Sequence, residues 1–177
     1  LSSQIRHIEV TSYAEVVLAP LNSDLAHRAF SNLFVQTEIL PDRQAILCTR
    51  RPRTPGEQVP WMFHLMVAPG TESDETSFET DREQLIGRGR SAANPVVLEK
   101  SINVSSASKE VNKALTHSLS NTDGSVLDPI VAIRRNITLS TDASTTVQII
   151  SGVAESREAA LALLDKYCDR HFVERAF

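Results

Sequence analysis

Two short arginine-rich stretches carry the side chains best suited to chemistry. Arg50, Arg51 and Arg53 fall within Arg50-Arg51-Pro52-Arg53-Thr54-Pro55-Gly56, and Arg88 and Arg90 alternate with Gly87 and Gly89. A guanidinium presents a planar fork of N–H donors, which suits phosphate oxygens and sugar hydroxyls. The prolines and glycines place both stretches in loops, where binding groups collect on a rigid scaffold. Trp61, the only tryptophan, follows the first loop and could stack on a sugar ring or pack in the core. Arg50, Arg51, Arg53, Trp61, Arg88 and Arg90 are therefore the candidate contacts for carbohydrate or phosphate. The competing reading spends the arginines on ion pairs with the six acids of residues 72–83, or with another domain.

No side chain is expected to be catalytic, and no metal or cofactor is expected. The chain has no G-x-S-x-G, H-E-x-x-H, C-x-x-C or G-x-x-x-x-G-K-[ST] pattern. Its five histidines lack metal-ligand spacing and read as surface or hydrogen-bonded residues. Glu9 and Glu15 lie on the polar face of a strand and read as solvated. Asp128-Pro129 reads as a device that starts a strand, because proline fixes the backbone there.

The elements that must position these residues are mostly strands. Apolar residues at Ile8, Val10, Ala14, Val16 and Leu18 alternate with polar ones, which predicts one long strand ended by Pro20. Residues 32–40 predict a second strand, and 44–50 a third. The third is apolar on both faces (Ala45 to Cys48) and so central. With Pro41-Asp42 as turn chemistry, the three form a meander. A fourth strand spans 61–67 and is stopped by Pro69-Gly70. The acid-rich 72–83 is expected as a solvated loop. Thr80-Asp81-Arg82-Glu83 has capping-box spacing and predicts a short helical turn, ended by Gly87 and Gly89. Residues 99–125 are expected to be irregular, with 109–119 helical or unordered. Strands follow at 126–139 and 145–150. Leu161, Leu164, Cys168 and Phe172 recur on one face of an amphipathic helix over 156–172.

The fold class is thus mainly β: an antiparallel β-sandwich with a C-terminal α-helix. The sandwich is expected over residues 1–153 and the helix over 154–177. At 177 residues, 41% of them hydrophobic and 23% charged, the chain can build its own core. A net charge of −4 argues against binding nucleic acid by bulk charge. No apolar run approaches the roughly 18 residues of a membrane span. Two cysteines make no disulfide framework and suggest a reducing, cytoplasmic location. A first residue that is Leu1, with no export signal after it, suggests a piece of a longer chain.

Four stretches, in order, resemble a known family. They are Arg6-His7-Ile8-Glu9-Val10-Thr11-Ser12-Tyr13, Phe30-Ser31-Asn32-Leu33-Phe34-Val35-Gln36-Thr37-Glu38, Leu85-Ile86-Gly87-Arg88-Gly89-Arg90 and Val126-Leu127-Asp128-Pro129-Ile130. Together they resemble the β-sandwich (supersandwich) domain of glycosyltransferase family 36, now glycoside hydrolase family 94. That family holds cellobiose and chitobiose phosphorylases and cyclic β-1,2-glucan synthases. Thr49-Arg50-Arg51-Pro52-Arg53 is most similar to the synthase branch. The resemblance implies the later part of the sandwich, leading toward a helical barrel that carries the catalytic acid, a residue with no counterpart here. It implies a supporting role: packing on the barrel, helping dimers form and sending loops toward β-glucan. It also implies a parent on the cytoplasmic side of an inner membrane. A free-standing carbohydrate-binding sandwich, or a purely structural one, are the alternatives. A partial sandwich would leave strand edges uncovered and is expected to form a homodimer.

Overall fold

The computed structural model describes residues 5–68, 75–99 and 118–168. Its strands assemble into two antiparallel sheets. The first is built around the longest strand. Counting in chain order, β1 is Arg6–Thr11, β2 Ala14–Glu15, β3 Val35–Leu40, β4 Ala45–Arg50, β5 Trp61–Val67, β6 Thr76–Asp81, β7 Pro129–Leu139 and β8 Gln148–Ala154. Arg135 of β7 pairs with Val10 on one side and Thr76 on the other, so β1 and β6 flank it. β2 continues the β1 side through Ala14↔Val131 and Glu15↔Ile130. The second sheet runs β3–β4–β5–β8.

Alternation decides which residues meet between the sheets. Val16, Ile46, Cys48, Met66, Phe78, Val131 and Ile133 form the layer between them. Helix α3 (Arg157–Cys168) covers the outer face of the second sheet, where Ala160 and Leu164 pack on Ala45, Leu47, Phe63 and Leu65. On the outer face of the first sheet, Leu85, Ile86, Val97 and Leu119 pack on Ile130 and Ala132. The central position expected for residues 44–50 is met: Ala45, Ile46, Leu47 and Cys48 are all fully buried.

Polar groups also tie the two sheets together. The Thr37 and Thr80 hydroxyls lie 2.8 Å apart. Arg135, which interrupts the apolar face of β7, donates to Gln44 Oε1 and, at 3.3 Å, to the carbonyl of Met66. His64 of β5 is only 2% exposed. Its Nδ1 lies 2.7 Å from Ser151 Oγ and its Nε2 lies 2.9 Å from Ser12 Oγ. Ser12 Oγ also accepts the N–H of Ile133 at 3.1 Å. A neutral imidazole that donates from Nε2 and accepts at Nδ1 satisfies this whole chain of contacts.

Several expectations need correction. The long first strand breaks at Ser12 and Tyr13, where Ser12 turns its hydroxyl onto the β7 backbone. Residues 21–32 form helix α1 (Leu21–Asn32), so the second strand starts at Val35, not at 32. Proline supplies the start: the carbonyl of Pro20 accepts from Ser23 and Asp24. The helix kinks at His27 and buries only Ser31 and Asn32. It leaves Leu21, Leu25 and Phe30 exposed, so no amphipathic pattern announced it. Residues 72–83 are not a solvated loop throughout. Thr76–Asp81 is a strand in which Phe78, Glu79 and Thr80 are buried. Glu79 is tolerated because its Oε1 accepts the N–H groups of Thr80 and Asp81, both at 2.9 Å. The short turn expected after Thr80 is present as α2 (Arg82–Leu85), but Asp81 rather than Thr80 caps it, accepting from Glu83 N–H, while the Thr80 hydroxyl donates to the Thr122 carbonyl at 2.7 Å. β7 and β8 start at Pro129 and Gln148, later than expected, and α3 is described to Cys168. The Pro69-Gly70 stop, Phe172 and residues 100–117 lie outside the described residues.

Candidate functional site

The six sequence candidates do not converge. Arg50 ends β4 and is 8% exposed, in an ion pair with Glu57. Glu57 also accepts the backbone N–H of Arg53 at 2.5 Å. That contact, with the charge of Arg50, holds the Glu57 carboxyl below its ordinary range. Arg51 donates to the carbonyl of Leu33 at 3.1 Å, and its guanidinium lies 5.8 Å over the Phe34 ring. The side chain of Arg53 is exposed. Trp61 is half-buried among the residues packed under α3. Arg88 pairs with Glu83 and Arg90 with Glu99, at 2.9 and 2.7 Å, in the layer outside the first sheet. Arg50 and Arg51 therefore fasten their loop, while Arg88 and Arg90 brace theirs.

A different group of side chains does converge. Glu9 and Thr11 of β1, Tyr13 after it and Glu15 of β2 line two neighbouring clefts on the first sheet. The first cleft, about 320 Å³, is walled by Leu85, Ile86, Val97 and Leu98, with Arg134 also lining it. Arg134 is 1% exposed and donates from Nε to Thr11 Oγ1 at 2.9 Å. The second cleft, about 460 Å³, is lined by Glu15, Arg28, Ala29, Asn32, Arg82, Leu127 and Asp128. The Tyr13 hydroxyl donates to Glu15 Oε1 at 3.0 Å between the two.

Four elements build the second cleft. β2 ends on Glu15, and α2 begins on Arg82. The second half of α1 carries Arg28 and Asn32, one helical turn apart and so on one side. Asp128 stands immediately before β7. Arg28 forms an ion pair with Glu15. Arg82 Nε lies 3.8 Å from Glu15 Oε1 and 3.8 Å from Asp128 Oδ2. Asn32 is buried and donates to Asp128 Oδ1 at 3.1 Å. The Arg28 contact holds the Glu15 carboxyl below its ordinary range. Burial, then the hydrogen bond to Glu15, raises the Tyr13 hydroxyl. A carboxylate so held stays ionised at neutral pH: it accepts hydrogen bonds well but is a poor general acid.

Among the described residues, every carboxyl group with a displaced pKa is displaced downward: Glu15, Glu57, Glu99, Glu158 and Asp165. Asp128-Pro129 does open β7, as its sequence suggests, but Asp128 also faces the cleft. Sequence reasoning missed Arg28, Asn32 and Arg82. The helix that carries the first two shows no apolar periodicity. The only available signal was the strand's polar face, which points Glu15 away from the core. The second cleft and the arginine loop nevertheless share one end of the sandwich, because Leu33 and Phe34, which hold Arg51, directly follow Asn32.

Residues 1–170 match the family described as "Glycosyl hydrolase 94, supersandwich domain". Over 162 residues, 92% of this chain, the sequence is 33% identical to the cyclic beta-(1,2)-glucan synthase NdvB of Rhizobium meliloti (strain 1021). The chain spans 5% of that relative's length. The two-sheet sandwich, the C-terminal helix and this match agree: the chain belongs to the glycosyl hydrolase 94 supersandwich family.

Proposed function

We propose that this chain is a non-catalytic accessory domain of a carbohydrate-active enzyme of the glucan-synthase type, bracing a catalytic barrel and contacting the glucan. The observation that carries this reading is the similarity to a cyclic β-(1,2)-glucan synthase across 92% of the chain. Loops at one end of a rigid sandwich suit a domain that touches substrate without transforming it.

Among the described strands β8 lies at the edge of its sheet, which supports association with a second copy. It carries no charged residue, and Ile149 and Val153 are 50% and 63% exposed. Cys48 and Cys168 are both free thiols, which suits the cytoplasmic side. Among the described residues no helix is long and apolar enough to cross a membrane.

The test is turnover. The chain is incubated with β-1,2-glucan and inorganic phosphate, and release of glucose 1-phosphate is followed. No release above the protein-free control is expected. Release that scales with protein concentration would refute the reading.

A further inference from the structure

We infer that the cleft between α1, β2, α2 and the start of β7 is a binding subsite for a neutral, polyhydroxylated chain, a stretch of glucan, rather than for phosphate. Charge balance and spacing both favour a neutral ligand. Two guanidinium groups, Arg28 and Arg82, face two carboxylates, Glu15 and Asp128, so the cleft carries no net charge toward a ligand. An anion entering it would meet two carboxylates as well as two arginines. A sugar hydroxyl both donates and accepts, so it can use both kinds of group at once.

Spacing makes the same distinction. Arg82 stands 3.8 Å from each carboxylate, beyond direct hydrogen-bond length. The gap is too short for an oxygen on its line, but a hydroxyl set beside it can accept from the guanidinium and donate to the carboxylate. The partners are held in advance: Asn32 fixes Asp128, and Arg28 with Tyr13 fixes Glu15. Leu127, 77% exposed, gives the rim an apolar surface for a sugar face. From Glu15 the polar face of the strand leads back past Tyr13 to Thr11 and Glu9 in the first cleft. The six residue steps from Glu9 to Glu15 span about 20 Å at extended-chain rise, a length that suits an oligosaccharide rather than a single sugar.

Glucan as the ligand rests on the proposed function above; the preference for an uncharged polyol over an anion does not. The test is calorimetric titration of the chain with a linear β-1,2-glucan oligosaccharide and, separately, with inorganic phosphate. Saturable glucan binding that changes little with salt is expected, with no phosphate binding. Arg82→Gln and Asp128→Asn should each weaken glucan binding about tenfold or more, the scale of one charge-assisted hydrogen bond. Arg43→Gln, which breaks only a pair with Asp165 beside α3, should leave it unchanged. Circular dichroism melts confirm that each variant is folded. Equal affinity in the cleft variants, binding of phosphate instead, or no saturable glucan binding would each overturn the inference. None of these results bears on glucose 1-phosphate release, so the non-catalytic part of the proposed function stands or falls separately; absence of glucan binding would remove only its glucan contact.

Discussion

Acidification should loosen this sandwich through His64. The imidazole is 2% exposed, between Ser12 on the first sheet and Ser151 on β8. Burial lowers its pKa from 6.5 to about 4. A base whose folded pKa is depressed binds fewer protons folded than unfolded. Its contribution to stability is therefore complete above pH 6.5 and is lost as the pH falls toward 4. By linkage, the loss is about 2 kcal/mol at pH 5 and about 3 kcal/mol below pH 4. The ion-paired carboxylates Glu15, Glu99 and Asp165 have lowered pKa values, so their contributions are lost at lower pH than this. Among the described groups, the interval from pH 7.5 down to 5 is thus the one in which His64 acts. Urea unfolding followed by Trp61 fluorescence measures the slope, and His64→Gln removes the titrating group. The variant should be less stable at pH 7.5 but flatter with pH, so that the two curves approach each other near pH 5. Parallel loss of stability in both proteins would refute the reasoning.

Other substitutions test the packing and the edges. Gly152 of β8 faces Phe63, and a Cβ there would stand 2.5 Å from the ring; Gly152→Ala should cost about 1–3 kcal/mol in urea unfolding, as overpacking does. Cys48 is fully buried and its pKa is pushed up to about 12, whereas Cys168 is exposed. A thiol-titrating reagent should therefore find one reactive cysteine in native protein and two in denaturant. Val153→Lys places a charge on the exposed edge of β8 and should weaken self-association, read by analytical ultracentrifugation across the micromolar range. A wild-type chain that stays monomeric over that range would remove the basis for the proposed pairing.

Legibility from the sequence followed how much of the local signal survived tertiary context. Residues 45–50 and 61–67 were readable because their apolar runs and flanking prolines state a buried strand plainly. The C-terminal helix was readable from its repeat of Leu161 and Leu164. β6 was not, because its acids resemble those of a solvated loop. Only the fold shows that Glu79 caps its own backbone and that Phe78 faces the core. Ion pairing of the arginines was readable as the competing use: Arg88 meets Glu83 of the acid-rich stretch, whereas Glu57 and Glu99, the partners of Arg50 and Arg90, are identified only in space. The second cleft draws on positions 15, 28, 32, 82 and 128, and no local pattern joins residues so far apart.

The pairing of β7 has a consequence for how the chain is made. Arg6 pairs with Leu139, so the first strand leaves the ribosome long before its partner exists. The β3–β4–β5 meander can close early, because Val35 pairs with Arg50 and Ala45 with Leu65. The other sheet must wait for residues 129–139 to bring β1, β2 and β6 together in one late step. Such distant pairing slows folding and leaves unpaired strands open to the wrong neighbour. A nascent chain arrested before Pro129 would thus hold half a sandwich, with Val131 and Ile133 still missing from the layer its meander must cover.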